Sequence, residues 1–306
     1  MTQDFLNQLQ TFPGRAKRWA QRLKVEAKIA TAFSRGAATA STRQLNPLDP
    51  RTWEFSGFSQ FGEDGVIDYL CSKLLNSNRF FIEIGSSDGL QNCSSWLALG
   101  RSYSGIMVDG DPVAIRKCKE MIDERVWNVH VIERMVDQEN ISALMKMCPY
   151  KDPDVFVIDI DGIDYYVLRR ILELGFRPKI VVAEYNSAFG PDRSVTIPYR
   201  KDFSRREGHK LSVVYGVSVS AWRKLLGQYQ YKFVTVESSG VNAFFVDPSV
   251  VPQAFTDQVR GLDFCDNVGD FMGAVAYRDS SGDLVLPKRD WHLQQDSIKD
   301  APLVEV

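Results

Sequence analysis

Cysteine and histidine are scarce in this chain, with five of the first and three of the second in 306 residues. Cys71, Cys93, Cys118, Cys148 and Cys265 are odd in number, widely scattered, and never spaced as C-x-x-C. No disulfide framework is expected, and free thiols in a reducing compartment follow. No uncharged apolar run approaches the ~20 residues that a spanning helix needs. A basic start followed by an apolar stretch, the mark of a secretory leader, is also missing, so the expected location is cytoplasmic. Nor does either charge dominate: 37 Lys or Arg stand against 39 Asp or Glu, a net −2. A nucleic-acid partner needs a basic surface to displace counterions, and none is indicated. With 44% hydrophobic and 25% charged residues, a disordered or fibrous chain is excluded. The length fits two ordinary domains, or one large α/β domain with extensions.

The charge is unevenly spread. The first 45 residues carry Arg15, Lys17, Arg18, Arg22, Lys24, Lys28, Arg35 and Arg43 against Asp4 and Glu26, a local +6 that leaves −8 for the rest. Arg15 to Phe33 reads as a helix, because Trp19, Leu23, Ala27 and Ala30 recur at spacings of four and three. Such a helix either packs on the body of the protein or on a second subunit, giving a homo-oligomer, or lies on the anionic inner face of a membrane. Gly36 to Pro50 reads as a linker. The expected division is a basic arm and linker (1–50), a main domain (51–250) and a C-terminal extension (251–306).

From Ser59 onward strands and helices alternate. Strands are predicted at Phe80–Ile84, Ser104–Val108, Asn128–Ile132, Val155–Ile158 and Ile180–Ala183. Helices are predicted around Val66–Leu74, Asn92–Leu99, Pro112–Glu124, Asn140–Met147 and Ile163–Leu174. Two further runs, Tyr231–Val236 and Val241–Val246, are joined by a connection too short for a crossover helix and must form an antiparallel hairpin. The fold class is therefore α/β: a doubly wound, Rossmann-like seven-stranded sheet, mostly parallel, ending in an antiparallel hairpin.

Open α/β sheets bind ligands beyond the carboxyl ends of their strands. The first strand leads into Glu83-Ile-Gly85-Ser86-Ser87-Asp88-Gly89, whose glycines allow close backbone approach. It is not the dinucleotide fingerprint, since G-x-x-x-G replaces G-x-G-x-x-G. A loop with Asp88 suits a cationic or zwitterionic ligand; the alternative is a plain glycine turn. The second strand ends in Asp109-Gly110-Asp111-Pro112, where Asp109 is placed for ribose hydroxyls and Asp111 for a helix cap. The fourth and fifth strands end in Asp159, Asp161, Glu184 and Asn186, an oxygen-only set suited to Mg²⁺, Mn²⁺ or Ca²⁺. Without a metal, one acid becomes a general base whose neighbours raise its pKa. Ser187 to Ser218 is a long connection holding Tyr199, Arg200, Lys201, Arg205, Arg206, His209, Lys210 and Tyr215. It reads either as a lid for a hydroxylated or anionic substrate such as a sugar, or as a solvated loop. His209 is placed to deprotonate a substrate, His130 to be buried in a strand, and His292 lies in a polar tail.

The glycine loop, the acid ending the second strand and the terminal hairpin resemble class I S-adenosylmethionine-dependent methyltransferases. Ile158-Asp-Ile-Asp-Gly-Ile-Asp164 with Val167-Leu168 resembles the D-x-E-G-x-E stretch of FkbM-type members. Ser59-Gln-Phe-Gly-Glu-Asp-Gly65, Glu184-Tyr-Asn186 with Phe189-Gly-Pro191, and Gly240-Val-Asn-Ala-Phe-Phe-Val246 resemble a subgroup of it, over about Ser59 to Asp247. The resemblance implies methyl transfer to oxygen of a sugar, glycolipid or polyketide. It implies that the loop Glu83, Gly85, Ser86, Ser87, Asp88 and Gly89, with Asp159, holds the amino-acid end of S-adenosylmethionine and Asp109 its ribose. Acids and an Asn at these two strand ends are also similar to metal-dependent O-methyltransferases, which strengthens the reading of Asp159, Asp161, Glu184 and Asn186 as a metal set for Mg²⁺ or Mn²⁺. Where FkbM-type chains often carry Lys two residues before the first Asp, this chain has Val157, and Lys201 is the candidate substitute. Asp159 or His209 would accept the proton of a small-molecule or glycan hydroxyl. The rival readings are a metal-dependent glycosyltransferase using Asp109-Gly110-Asp111 and a non-catalytic, membrane-associated interaction module.

Overall fold

The computed structural model describes residues 23–40, 42–203, 205, 214–264, 277–278, 284–285, 295 and 298–306. His209, Arg206, Lys210, His292, Cys265 and the start of the basic arm, Trp19 included, lie outside these residues.

Seven strands form one sheet. In chain order they are β1 (Phe80–Ile84), β2 (Ser104–Asp109), β3 (Val129–Glu133), β4 (Val155–Ile158), β5 (Ile180–Glu184), β7 (Lys232–Val236) and β8 (Asn242–Val246), with a two-residue β6 (Val195–Thr196) lying outside the sheet. Their spatial order is β3-β2-β1-β4-β5-β8-β7. Strands β1 to β5 run parallel, and β8 is antiparallel to both of its neighbours. The doubly wound α/β sheet with a closing hairpin expected from the sequence is therefore the observed architecture. Chain order reverses between β1 and β4, which opens a crevice beyond their carboxyl ends.

Central strands β1, β4, β5 and β8 are buried at every position, as near-continuous apolar runs require when helices cover both faces. Edge strand β3 alternates instead. His130 projects to solvent with its side chain 57% exposed, which corrects the expectation of a buried histidine.

One face of the sheet is covered by α4 (Ile141–Met145), α5 (Asp164–Glu173) and α6 (Val219–Gln228). Trp222 of α6 is fully buried and donates its indole N–H to the Glu184 carbonyl at 2.8 Å, tying that helix to the end of β5. The other face is covered by the helical residues 23–40 (α1), α2 (Glu63–Ser72), α3 (Pro112–Met121) and α7 (Gln253–Gln258). Helix α1 continues through Gly36, where the sequence reads as linker. It does so by docking: Val25 and Ala32 are buried, and a Cβ on Gly36 would lie 2.5 Å from the Trp96 ring. Lys28 and Arg43 donate to the carbonyls of Phe58 and Trp53 at 3.3 and 2.8 Å. Of the alternatives for the arm, packing on the body is what residues 23–40 do. Among the described residues no helix is long and apolar enough to cross a membrane.

The expected helix at Asn92–Leu99 is shorter, a single π-type turn at Trp96–Gly100. Residues 92–94 are drawn off the helical path because they wrap around the buried Glu83 carboxylate.

Candidate active site at the strand-order reversal

A cavity of about 600 Å³ opens beyond β1, β2, β4, β5 and β8, within the roughly 300–1,000 Å³ span of small-molecule sites. Its wall on the β1–β2 side is the glycine loop. Gly85 has φ +94°, and a Cβ there would fall 1.6 Å from the Asp159 carbonyl oxygen, so only glycine fits. Ser87 also takes positive φ and donates its N–H to Asp109 Oδ2 at 2.8 Å. Asp109 Oδ1 accepts from the Asp111 N–H at 2.8 Å, and Asp111 caps α3 through Val113 N–H at 2.7 Å, as expected. Both carboxylates of Asp109-Gly110-Asp111 thus accept from backbone amides that shape the glycine loop and the start of α3.

Of the loop, Gly85 and Ser87 line the cavity and three candidates do not. Ser86 is fully buried beneath it. Asp88 turns to the Leu90 N–H at 3.1 Å and to Lys117 at 3.6 Å. Gly89 packs where a Cβ would meet Met121 at 2.6 Å. Two backbone reversals within three residues leave only alternate positions facing inward. Glu83 lines the cavity, but its oxygens receive the Asn92 side-chain amide at 2.6 Å, the Cys93 N–H at 2.9 Å and the Ser94 hydroxyl. Burial pushes its pKa up to about 7. Its visible task is to fix Asn92, whose buried Oδ1 has no hydrogen-bond partner among the described residues.

The opposite wall carries the acids. Carboxylate oxygens of Asp159, Asp161 and Glu184 lie within 4.8 Å of one another. Asp159 and Glu184 stand side by side at the ends of the neighbouring strands β4 and β5. Burial, then the charge of Asp161, lifts Asp159 to about 8; burial, then Asp159, holds Glu184 well above the usual carboxylate range. Two like groups this close raise each other's affinity for a proton. Asp164 accepts from the Ile160 and Gly162 N–H groups, both at 2.9 Å, and so braces the turn that presents Asp159 and Asp161.

Asn186 does not join this cluster. Its Oδ1 caps the short turn Ser187–Phe189 through the Ala188 N–H at 3.0 Å, and its amide donates to the Tyr215 carbonyl at 2.9 Å. Lys201 lines the cavity rim, where its ammonium lies 3.4 Å from Asp137 and 3.9 Å from Glu139. The cation that meets the carboxylates is Arg205, 2.5 Å from Asp161 and stacked 3.8 Å over the Tyr215 ring. These contacts do not fit a resident divalent cation. The expected fourth ligand is engaged elsewhere, and a guanidinium stands against Asp161.

Sequence reading passed over Glu63 and Asn242, both buried and both lining the cavity. The S-Q-F-G-E-D-G run has a physical account. Asp64 Oδ2 receives the N–H groups of Gly57, Phe58 and Ser59 at 2.6–2.9 Å. Gly65 is required because a Cβ would lie 1.9 Å from the Trp53 carbonyl. Glu63 is thereby delivered to the cavity, where it accepts from the Asn242 amide at 3.0 Å. The signal is two adjacent acids, Glu63 and Asp64, in the first turn of a helix and both buried.

No protein-family profile and no curated protein matches the chain. Among solved structures it is similar to an O-methyltransferase from Bacillus cereus in complex with S-adenosylhomocysteine (TM-score 0.39, 14% identity, 72% of this chain and 89% of that one). It is likewise similar to the CurJ carbon methyltransferase (0.39, 13%, 76% and 70%) and to a SAM-dependent methyltransferase from Aquifex aeolicus (0.37, 14%, 66% and 100%). The likeness is one of sheet architecture alone.

Proposed function

We propose that the chain is an S-adenosylmethionine-dependent O-methyltransferase of FkbM type, acting on a hydroxyl of a sugar, glycan or glycolipid-like acceptor. The observation that carries this reading is the close Asp159–Glu184 carboxyl pair, set across one cavity from Gly85, Ser87, Asn92 and Asp109. The residues of the β1–β2 side suit the cofactor. Asp109 keeps a lone pair on each oxygen for ribose hydroxyls. Asn92 Oδ1, buried and unpaired among the described residues, suits an α-ammonium group. The backbone at Gly85 admits the close approach that a side chain would block.

When bound, S-adenosylmethionine supplies an electrophilic methyl group on a sulfonium that departs as a neutral thioether. The chain's task is to hold the acceptor oxygen in line and to remove its proton. Asp159–Glu184, holding one proton and one negative charge, takes the hydroxyl proton as the O–CH₃ bond forms and ends doubly protonated. Loss of one proton to solvent resets the pair. Arg205, ion-paired with Asp161, partly offsets the charge of that third carboxylate.

Calorimetry with S-adenosylhomocysteine tests the reading. Saturable heat is expected, whereas no heat with either that compound or the methyl donor overturns it.

A further inference from the structure

We propose that Asn242, held by Glu63, is a second hydroxyl-binding point beside the Asp159–Glu184 pair, so that the acceptor presents two neighbouring hydroxyls rather than one. The inference rests on the methyl-transfer reading of the cavity and adds the acceptor's required pattern. In the β5–β8 ladder Glu184 and Asn242 are direct partners. Antiparallel partners project to the same face with Cβ atoms about 5 Å apart. One side of that couple belongs to the close carboxyl pair; the other is an amide that is 2% exposed.

The amide's direction is set by its surroundings. Glu63 is itself buried, accepts the Phe61 N–H at 2.8 Å on one oxygen and the Asn242 side-chain N–H at 3.0 Å on the other. The Asn242 backbone N–H is fixed on Glu237 at 2.8 Å. Asn242 Oδ1 is left buried, with no partner among the described residues, in a side chain that lines the cavity. A buried acceptor in that state is rare in a folded protein and calls for a donor from the ligand. One of its two side-chain N–H groups is held by Glu63, which turns Oδ1 toward the cavity as an acceptor, and an amide oxygen recognises an O–H without demanding a charge. Two oxygens on adjacent ring carbons, each reaching out by one hydrogen bond, span the Glu184–Asn242 spacing. A lone alcohol can satisfy only one of them.

The test titrates the full chain, loaded with S-adenosylhomocysteine, with cis- and trans-1,2-cyclohexanediol and with cyclohexanol, followed by ligand-detected NMR. One diol is expected to bind at least tenfold tighter than cyclohexanol. In Asn242→Ala that advantage disappears. Glu63→Gln retains Asn242 but offers its amide both a donor and an acceptor; it lowers the advantage at least threefold and reports on orientation should the first variant fold poorly. Equal binding of diol and alcohol by the wild type, binding of neither, or a diol advantage that survives in both variants overturns the inference. Absence of S-adenosylhomocysteine heat would instead sink the methyl-transfer reading, and the same titration on the ligand-free chain would still decide the hydroxyl pair.

Discussion

On the proposed reading Asp159 takes the acceptor's proton, and its environment sets a sign that can be measured. Burial and the Asp161 charge lift it to about 8, and a base must be ionised to accept a proton. Turnover per cofactor-loaded enzyme should therefore rise as pH increases through about 8. Asp159→Asn should lower kcat by about 10²–10⁴, the usual worth of a positioned general base, and abolish that rise while S-adenosylhomocysteine affinity stays within threefold. A rate that falls over the same interval, or full turnover in the variant, would assign proton removal elsewhere. Asp109, Gly85, Asp159, Asp161 and Glu184 were legible because each sits where an apolar strand ends, and such ends converge on one crevice. Asn186 misled because it also follows a strand, yet the next turn needs its side chain as a cap. Asn92 and Asn242 were illegible for a related reason. Their importance lies in which half of the amide is already occupied, and only the fold decides that Glu83 and Glu63 occupy the donor half.

Among the elements, the five parallel strands and the hairpin could be read almost to the residue, since runs such as Val155–Ile158 are apolar at every position and match burial on both faces. Element ends and loops were harder. Ser87 and Asp161 adopt left-handed backbone without being glycine, held there by hydrogen bonds from neighbouring segments that no local pattern announces. The basic helix is the clearest case. Its Ala-rich stripe and Gly36 look like a fading amphipathic arm, but small residues are what permit close docking on Trp96. Gly36→Leu should consequently destabilise the chain by about 1–3 kcal/mol, the usual cost of overpacking, although leucine is the better helix former. Chemical denaturation would show it as a lower midpoint with unchanged slope. A stabilised variant would mean that α1 detaches from the body without cost. The metal question also belongs to the turns that carry the acids. Because Arg205 meets Asp161 and Asn186 caps its own turn, EDTA treatment should leave turnover within twofold, and added Mn²⁺ should not raise it. Loss of activity restored by Mn²⁺ would show that Arg205 yields its place.

At the scale of the whole molecule, an unusual number of carboxyls are buried around the cavity and the 57–65 turn, and together they make stability depend on pH. Burial raises Asp64 and Glu83 to about 7 and Asp159 and Glu237 to about 8, against about 4 in an unfolded chain. Between those values the folded state binds more protons than the unfolded one, so stability must fall with rising pH. The contribution is complete below about pH 4 and is lost as pH passes through about 7 to 8. Asp49, whose pKa is instead lowered by its hydrogen bond to Arg51, acts only in the acid range beneath this window. Thermal midpoints at constant ionic strength should accordingly decline from pH 6 to pH 8.5. Glu83→Gln removes one of the titrating groups and should flatten the decline by up to one proton, about 1.4 kcal/mol per pH unit, even though the variant is less stable at every pH. A midpoint that climbs across that interval would mean these carboxyls are ionised inside the fold. Asp159 would then be ionised well below pH 8, and the rise in turnover through that pH would disappear.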